Sequence, residues 1–515
     1  FLAASQPGVE FGDRGGLVAG GLVFRDDFER LLTSLDFANR AKFGVCEHGV
    51  FCCKSHVRKS IRARKWSLYC SGGLLLLCGA GAGCGRAAIA CDNADMRSTV
   101  IASGFHIREH TIEVPWDRSD ASLGSLQLYA RELFTDEHAP PLVYFQGGPG
   151  NPGPRMMMGW IPEALARYRV FLIDERGTGR STRIDRTTPQ FINADYLSRL
   201  RPPEIVADAE DLRAHLGFEQ WDVLGNSFGG ICVGAYLSYF PQGVRRAMIT
   251  GSIPPFGITA DEYNRNCLDL FEQRVERFYR EVPWAEGRIR QVCEHLAGAD
   301  ERLPTGERLT PERFRFCGVT LGEEAGFDTL AVLLEEPFHH GRHGKHLRTD
   351  FLSSVSRMVG LDPNPLWAVV HEQIFGGLAG GPVRWSAARV YEEREGFSVH
   401  ADPKSDEKFY PFGNAFFPFH FEQDPALRPF RDAVDVLAQR ESWVPVSDAE
   451  VLMHNTTPTA ALLYRDDMFI PYDYAVANAE RIPQLSVTTN DAYQHDGIYL
   501  HGAEVFRQVI AALPD

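Results

Sequence analysis

Between residues 105 and 255 the chain alternates two hydrophobic rhythms. Short runs of mostly apolar residues at 141–145, 169–174, 221–224 and 246–250 read as strands buried on both faces. Between them, 204–216 puts Ile205, Ala209, Leu212 and Leu216 on one helical stripe, and 228–240 turns Ile231, Ala235 and Leu237 inward. Strands alternating with helices predict a parallel sheet covered on both faces. The segments 106–115 and 125–133 predict an antiparallel pair at its edge. From 256 to 449 helical patterns dominate, broken by prolines as in Asp362-Pro363-Asn364-Pro365. Strand patterns return at 458–464 and 485–488, and 503–513 reads as a closing helix. The prediction is one α/β sheet, 96–255 and 450–515, interrupted at 256–449 by a large, mainly helical cap. Such a cap sits over the carboxyl ends of the strands, where open α/β sheets bind ligands.

The first 95 residues differ from the rest. They hold seven of the eleven cysteines, including adjacent Cys52 and Cys53, and carry 12 Lys+Arg against 9 Asp+Glu. The other residues carry 41 against 59. A basic run at 58–65 followed by apolar 74–77 resembles a short targeting element, but it lies far from the start and its apolar stretch is weak. A metal or disulfide module lacks any Cys-x-x-Cys pair. The reading adopted is a poorly ordered extension outside the working enzyme, with Met96 as the natural start. Only Cys232, Cys267, Cys293 and Cys317 follow, which predicts a reducing, cytoplasmic setting. The net charge of −15 argues against nucleic acid or an anionic membrane as partner, and no apolar run is long enough to span a bilayer.

The chemistry concentrates at Asp222-Val223-Leu224-Gly225-Asn226-Ser227-Phe228-Gly229-Gly230. A strand running into Gly-x-Ser-x-Gly and then a helix is a nucleophile elbow, which lifts Ser227 above the sheet edge. A serine hydroxyl needs an imidazole to take its proton, and the imidazole needs a carboxylate to hold its tautomer. In such chains the order is serine, acid, histidine. Asp467 follows the 458–464 strand and is the acid, with Asp466 in reserve. His495 follows the 485–488 strand on a loop ending in Gly497 and is the base, whereas His501 falls at a helix start. The oxyanion donors are assigned to the N–H of Phe228 and to Gly147 and Gly148 in Gln146-Gly147-Gly148-Pro149-Gly150, after the 141–145 strand. Gly177-Thr178-Gly179 lacks the full dinucleotide pattern and reads as a structural loop. The cluster His339, His340, His343 and His346, interleaved with Arg342 and Lys345, reads as a solvated loop and not a metal site.

Together these motifs resemble the prolyl aminopeptidase (proline iminopeptidase) family of α/β-hydrolases. The match runs from about Phe105 to the end and includes the Gln146–Gly150 loop, Asp174-Glu175-Arg176-Gly177-Thr178-Gly179-Arg180-Ser181, the elbow, Asp467-Met468 and His495-Asp496-Gly497. Asn364-Pro365-Leu366 and His371-Glu372 also look like that family. The resemblance implies an α/β-hydrolase fold and a serine exopeptidase that removes an N-terminal residue, usually proline. It implies the triad Ser227, Asp467 and His495, a small peptide with a free N-terminus as partner, and no metal or organic cofactor. A free cationic amine needs an anionic anchor, and Glu372 is the candidate. Gly413-Asn414-Ala415 stands where the family carries Gly-Glu-Met, and Asn226 stands where glutamine is common. Seven aromatics within 409–421 are read either as a ring-binding wall or as cap core. The lost glutamate keeps a second reading open, an esterase or amidase for small uncharged acyl compounds. An aspartate-nucleophile epoxide hydrolase or dehalogenase is disfavoured by Ser227. A non-catalytic binding protein is disfavoured by the complete triad.

Overall fold

The computed structural model describes residues 104–155, 159–342 and 344–514, together with four short strands earlier in the chain. Residues 1–91 and 92–515 separate into two units. In the first, Phe43–Val45 pairs antiparallel with Phe51–Cys53, and Leu68–Cys70 with Gly73–Leu75. The expected disorder of 1–95 and the roles weighed for its cysteines fall outside the described residues.

The second unit is built on eight strands: β1 (His106–Pro115), β2 (Ser125–Phe134), β3 (Pro141–Phe145), β4 (Arg169–Asp174), β5 (Trp221–Asn226), β6 (Val244–Thr250), β7 (Thr459–Tyr464) and β8 (Leu485–Asn490). Their order across the sheet is β8-β7-β6-β5-β3-β4-β2-β1. The six from β8 to β4 run parallel, and β2 and β1 turn back antiparallel at one edge. This is the α/β-hydrolase fold.

Side chains alternate between two cores because successive residues of a strand face opposite ways. Leu142, Tyr144, Val170, Leu172, Leu224, Met248, Ala460 and Leu462 face one layer. There they pack on α1 (Trp160–Leu165) and the closing helix (Gly502–Ala511) through Trp160, Val505, Phe506 and Val509. Val143, Phe145, Phe171, Ile173, Val223, Ile249, Ala461 and Leu463 face the other. That layer is made by α2 (Pro202–His215), α3 (Phe228–Tyr239) and the cap. Continuous apolar runs are therefore what both-sided burial demands of these central strands.

Between β6 and β7 the chain is mostly helical, as the sequence pattern predicts. It opens with α4 (Ala260–Glu281), begun by a Thr259–Glu262 capping box and buried along Leu268, Phe271, Val275 and Phe278. The insertion also contains a hairpin, Phe338–Gly341 paired with Gly344–Leu347, where His339, His340 and His346 are exposed. Arg201, just before α2, ties core to cap by donating to the carbonyls of Gln373 and Val444. The 409–421 aromatics are cap core: Phe409, Tyr410, Phe412, Phe416, Phe417, Phe419 and Phe421 are all buried.

Candidate active site

The elbow is forced by close packing. A β-carbon on Gly229 would run into the carbonyl of Phe145, and one on Gly225 into the carbonyl of Gly229. Ser227 sits at φ 55°, ψ −118°, a conformation that costs a side-chain-bearing residue roughly 1–3 kcal/mol. Its N–H is held by the carbonyl of Thr250 at 2.9 Å. β5 ends at Asn226, Ser227 caps the turn and α3 starts at Phe228, so the Phe228 N–H lies in the first turn, free of intrahelical bonding.

His495 Nε2 lies 2.9 Å from Ser227 Oγ, and His495 Nδ1 lies 2.6 Å from Asp467 Oδ2. The other Asp467 oxygen accepts from the N–H groups of Phe469 and Ile470 at 2.8 and 3.2 Å, which fixes the carboxylate plane. Burial pushes the imidazolium down in pKa, but the Asp467 charge and hydrogen bond outweigh it and hold His495 above the ordinary histidine value. The Phe469 ring meets His495 edge-on at 4.8 Å. Asp466 points elsewhere, into Arg274 at 2.5 Å and Arg277 at 3.0 Å. His501 pairs with Glu324 at 2.6 Å and stacks on Tyr493, away from the serine.

Gly147 and Gly148 line the same cavity as Ser227 and His495, with a volume of about 570 Å³. Asn151 donates to the Gly147 carbonyl at 2.9 Å, and Asn364 of the cap donates to Asn151 at 2.6 Å. That chain fixes the Gly147 carbonyl and ties the glycine loop to the cap. The loop 174–181 closes on itself behind this wall. Asp174 accepts from the N–H groups of Gly153 and Arg180, and Arg176 grips Asp208 with both nitrogens, at 2.6 and 2.8 Å.

A model of the alpha/beta hydrolase fold matches residues 140–290. A proline iminopeptidase of Aeromonas sobria is 34% identical over 422 residues, covering 80% of this chain and 97% of the relative. The proline iminopeptidase aneH of Aspergillus aculeatus is 28% identical, with 79% and 93% covered. A probable proline iminopeptidase of Streptomyces coelicolor is 30% identical over 33% of this chain and half of its own length. The chain belongs to the proline iminopeptidase family. It is a serine hydrolase of that type.

Within this family member, Glu372 is not at the cavity. Its carboxylate accepts from the N–H groups of Ser386 and Ala387 at 3.0 and 3.1 Å and so closes the start of the helix Ser386–Glu392. Burial pushes its pKa up to about 7, against those two bonds. It lines a small separate cavity of about 20 Å³ with Trp385, Phe421 and Trp443. The expectation of an amine anchor at Glu372 is corrected on that ground: it lies outside the cavity that holds Ser227, and each of its oxygens caps a backbone N–H.

The carboxylates that do line the Ser227 cavity are Glu323 and Asp496, facing Arg357 and Trp367. Confinement at the wall, then the charge of Asp496, pushes Glu323 up in pKa. Burial, partly opposed by the Glu324 N–H, does the same for Asp496. Glu323 sits in Leu321-Gly322-Glu323-Glu324 with no surrounding motif, so no sequence signal distinguished it. Asn414 lines the cavity and also a side pocket of about 30 Å³ with Asn264, Cys267, Phe271, Tyr391 and Met468. Its amide oxygen is buried without a partner. Among the described residues no group of three or more His, Cys, Asp or Glu is placed to hold a metal ion.

Proposed function

We propose that this enzyme releases an N-terminal residue, proline in the first instance, from short peptides through an acyl-enzyme. The observation that carries the reading is the continuous relay from Asp467 through His495 to Ser227, at 2.6 and 2.9 Å, opening into a cavity with two carboxylates. Ser227 Oγ bonds to the scissile carbonyl carbon, its proton passes to His495 Nε2, and the carbonyl π pair moves onto oxygen. Gly147, Gly148 and the Phe228 N–H receive that oxyanion. His495 then gives its proton to the departing amine, and water repeats the sequence to free the acyl group.

The free amine is met by Glu323 and Asp496, and the ring by the side pocket beside Asn414. Glu323→Gln is expected to raise KM about fivefold for a prolyl amide with a free amine and to leave its N-blocked analogue unchanged. Equal effects on both remove Glu323 as anchor. Proline β-naphthylamide against p-nitrophenyl acetate separates peptidase from esterase. An enzyme that cleaves only the ester overturns the exopeptidase reading. In the same reading the chain works in the cytoplasm, supported by Cys232, Cys267, Cys293 and Cys317 all being free thiols. No described helix is long and apolar enough to cross a membrane.

A further inference from the structure

The wall of the Ser227 cavity holds a phenol hydroxyl that the mechanism above does not use. Tyr499 lies on the short helix Gly497–Leu500, immediately after the His495 loop; it is half-buried and lines the cavity that contains Ser227 and Gly147. A β-carbon built on Gly147 would be 3.1 Å from the Tyr499 oxygen, so that oxygen sits against the glycine loop itself.

The bonding of this oxygen decides where its proton goes. Asn226 Nδ2 donates to it at 3.1 Å and Gln146 Nε2 at 3.5 Å. The Asn226 amide is oriented by Thr250, whose hydroxyl donates to Asn226 Oδ1 at 2.9 Å, leaving the NH2 end for Tyr499. A phenol oxygen has two lone pairs, and both now have a donor aimed at them. The hydroxyl of Tyr144, fully buried behind it, has Tyr499 as its hydrogen-bond partner and donates to the same oxygen, so the lone pairs are taken up from the protein side. Tyr499 makes no hydrogen bond as a donor to any described residue. Burial holds its phenol above the ordinary tyrosine value, so the proton stays on at neutral pH.

The geometry points to Tyr499 as a catalytic residue: its O–H is a third donor to the oxyanion, joining the backbone N–H groups of Phe228 and the Gly147–Gly148 loop. The Asn226 amide, the closer donor, holds the phenol oxygen in place and polarises its O–H, with Gln146 at 3.5 Å adding little, and the acceptor that completes the set is the negative oxygen formed when Ser227 attacks. No covalent change occurs at Tyr499, because the proton is shared with the oxyanion and not transferred. This inference rests on the serine-hydrolase reading but not on the identity of the acyl group, since every acyl transfer passes through the same oxyanion.

The test is Tyr499→Phe in the full chain, assayed with p-nitrophenyl acetate and with proline β-naphthylamide. The expected result is a 10- to 100-fold fall in kcat with KM within about twofold, and a folded protein whose Tm falls modestly because the buried Asn226 amide loses its acceptor. Inhibition by trifluoroacetophenone, which Ser227 converts to a hemiketal bearing the same oxygen, should weaken by a similar factor. A residue that merely holds the glycine loop through Gln146 would behave differently: Gln146→Ala would then reproduce the loss. Gln146→Ala is expected to cost less than about threefold. Unchanged kcat in Tyr499→Phe, or equal losses in the two variants, overturns the assignment. Ester turnover without prolyl amide turnover would strike the exopeptidase reading and leave Tyr499 in force. Turnover of neither substrate by the unaltered enzyme would overturn both.

Discussion

Glu372→Gln separates a capping carboxylate from a substrate anchor through the pH dependence of stability. Glu372 is fully enclosed, and burial raises its carboxyl from the ordinary 4.5 to about 7 in the folded protein. A group whose folded pKa lies above its unfolded value binds more protons in the native state throughout the window between the two. Stability is then full below about pH 4.5 and declines as pH rises to about 7, where the loss levels off. About two and a half pKa units correspond to about 3 kcal/mol across that window. A glutamine cannot ionise, so its stability carries none of this slope. The amide also differs by a constant offset, since its NH2 end cannot accept from Ser386 or Ala387, but the offset cancels when two pH values are compared. Urea midpoints at constant m, taken near pH 5 and near pH 8, should therefore change differently in the two proteins, by about 3 kcal/mol between the two pH values. Kinetic parameters for free-amine and N-blocked substrates should shift together. Parallel stability profiles, or a KM rise confined to free-amine substrates, would refute the capping role and restore the anchor.

Four further outcomes follow from the same geometry. Ser227→Ala should lose several orders of magnitude in kcat while keeping its Tm, checked by burst titration with a fluorophosphonate; retained turnover would end the acyl-enzyme mechanism. Asp467→Asn should lower kcat about 10⁴-fold by presenting His495 with the wrong hydrogen-bond partner. The acid limb of kcat/KM, where His495 must be neutral to accept the serine proton, should lie above pH 6.5 in the unaltered enzyme, since Asp467 raises His495; a midpoint below that value would contradict the pairing. Gly229→Ala should fail to fold or lose all activity, because the new β-carbon meets the Phe145 carbonyl in the middle of the sheet; a soluble, active variant would mean the elbow is looser than described.

The parts that could be read from the chain share one property: their physics is local. The strands β3 and β4 occupy the predicted 141–145 and 169–174, because a strand buried on both faces leaves an unbroken apolar run. Where the predicted strands end early, the reason is equally local. β5 and β8 continue through polar residues to Asn226 and Asn490, whose backbones still pair although their side chains break the apolar pattern. Ser227 and His495 were legible because strand, glycine and chain order each restrict them. Asp467 could be told from Asp466 only in space, since nothing along Arg465-Asp466-Asp467 says which carboxylate meets Arg274 and which meets the imidazole.

Glu372 shows where such reading stops. A buried glutamate after a histidine in a helical cap has the same sequence appearance whether it meets a substrate amine or two backbone N–H groups fourteen and fifteen residues on. The choice depends on how the helix Ser386–Glu392 is docked, and that docking is set by the packing of the whole cap. Tyr499 and Glu323 are the converse. Neither belongs to a motif, yet one is placed by its distance along the chain from His495 and the other by the cap segment whose Glu324 N–H bonds to Asp496 at 3.1 Å. A core strand tolerates few sequences, so its pattern survives in the chain. A cavity wall assembled from the cap and two loops tolerates many, and the chemistry that selects a substrate lives in that wall. On the proposed reading the Ser227–His495–Asp467 relay sets the reaction class, while the free-amine and N-blocked comparison at Glu323 bears on which acyl groups enter.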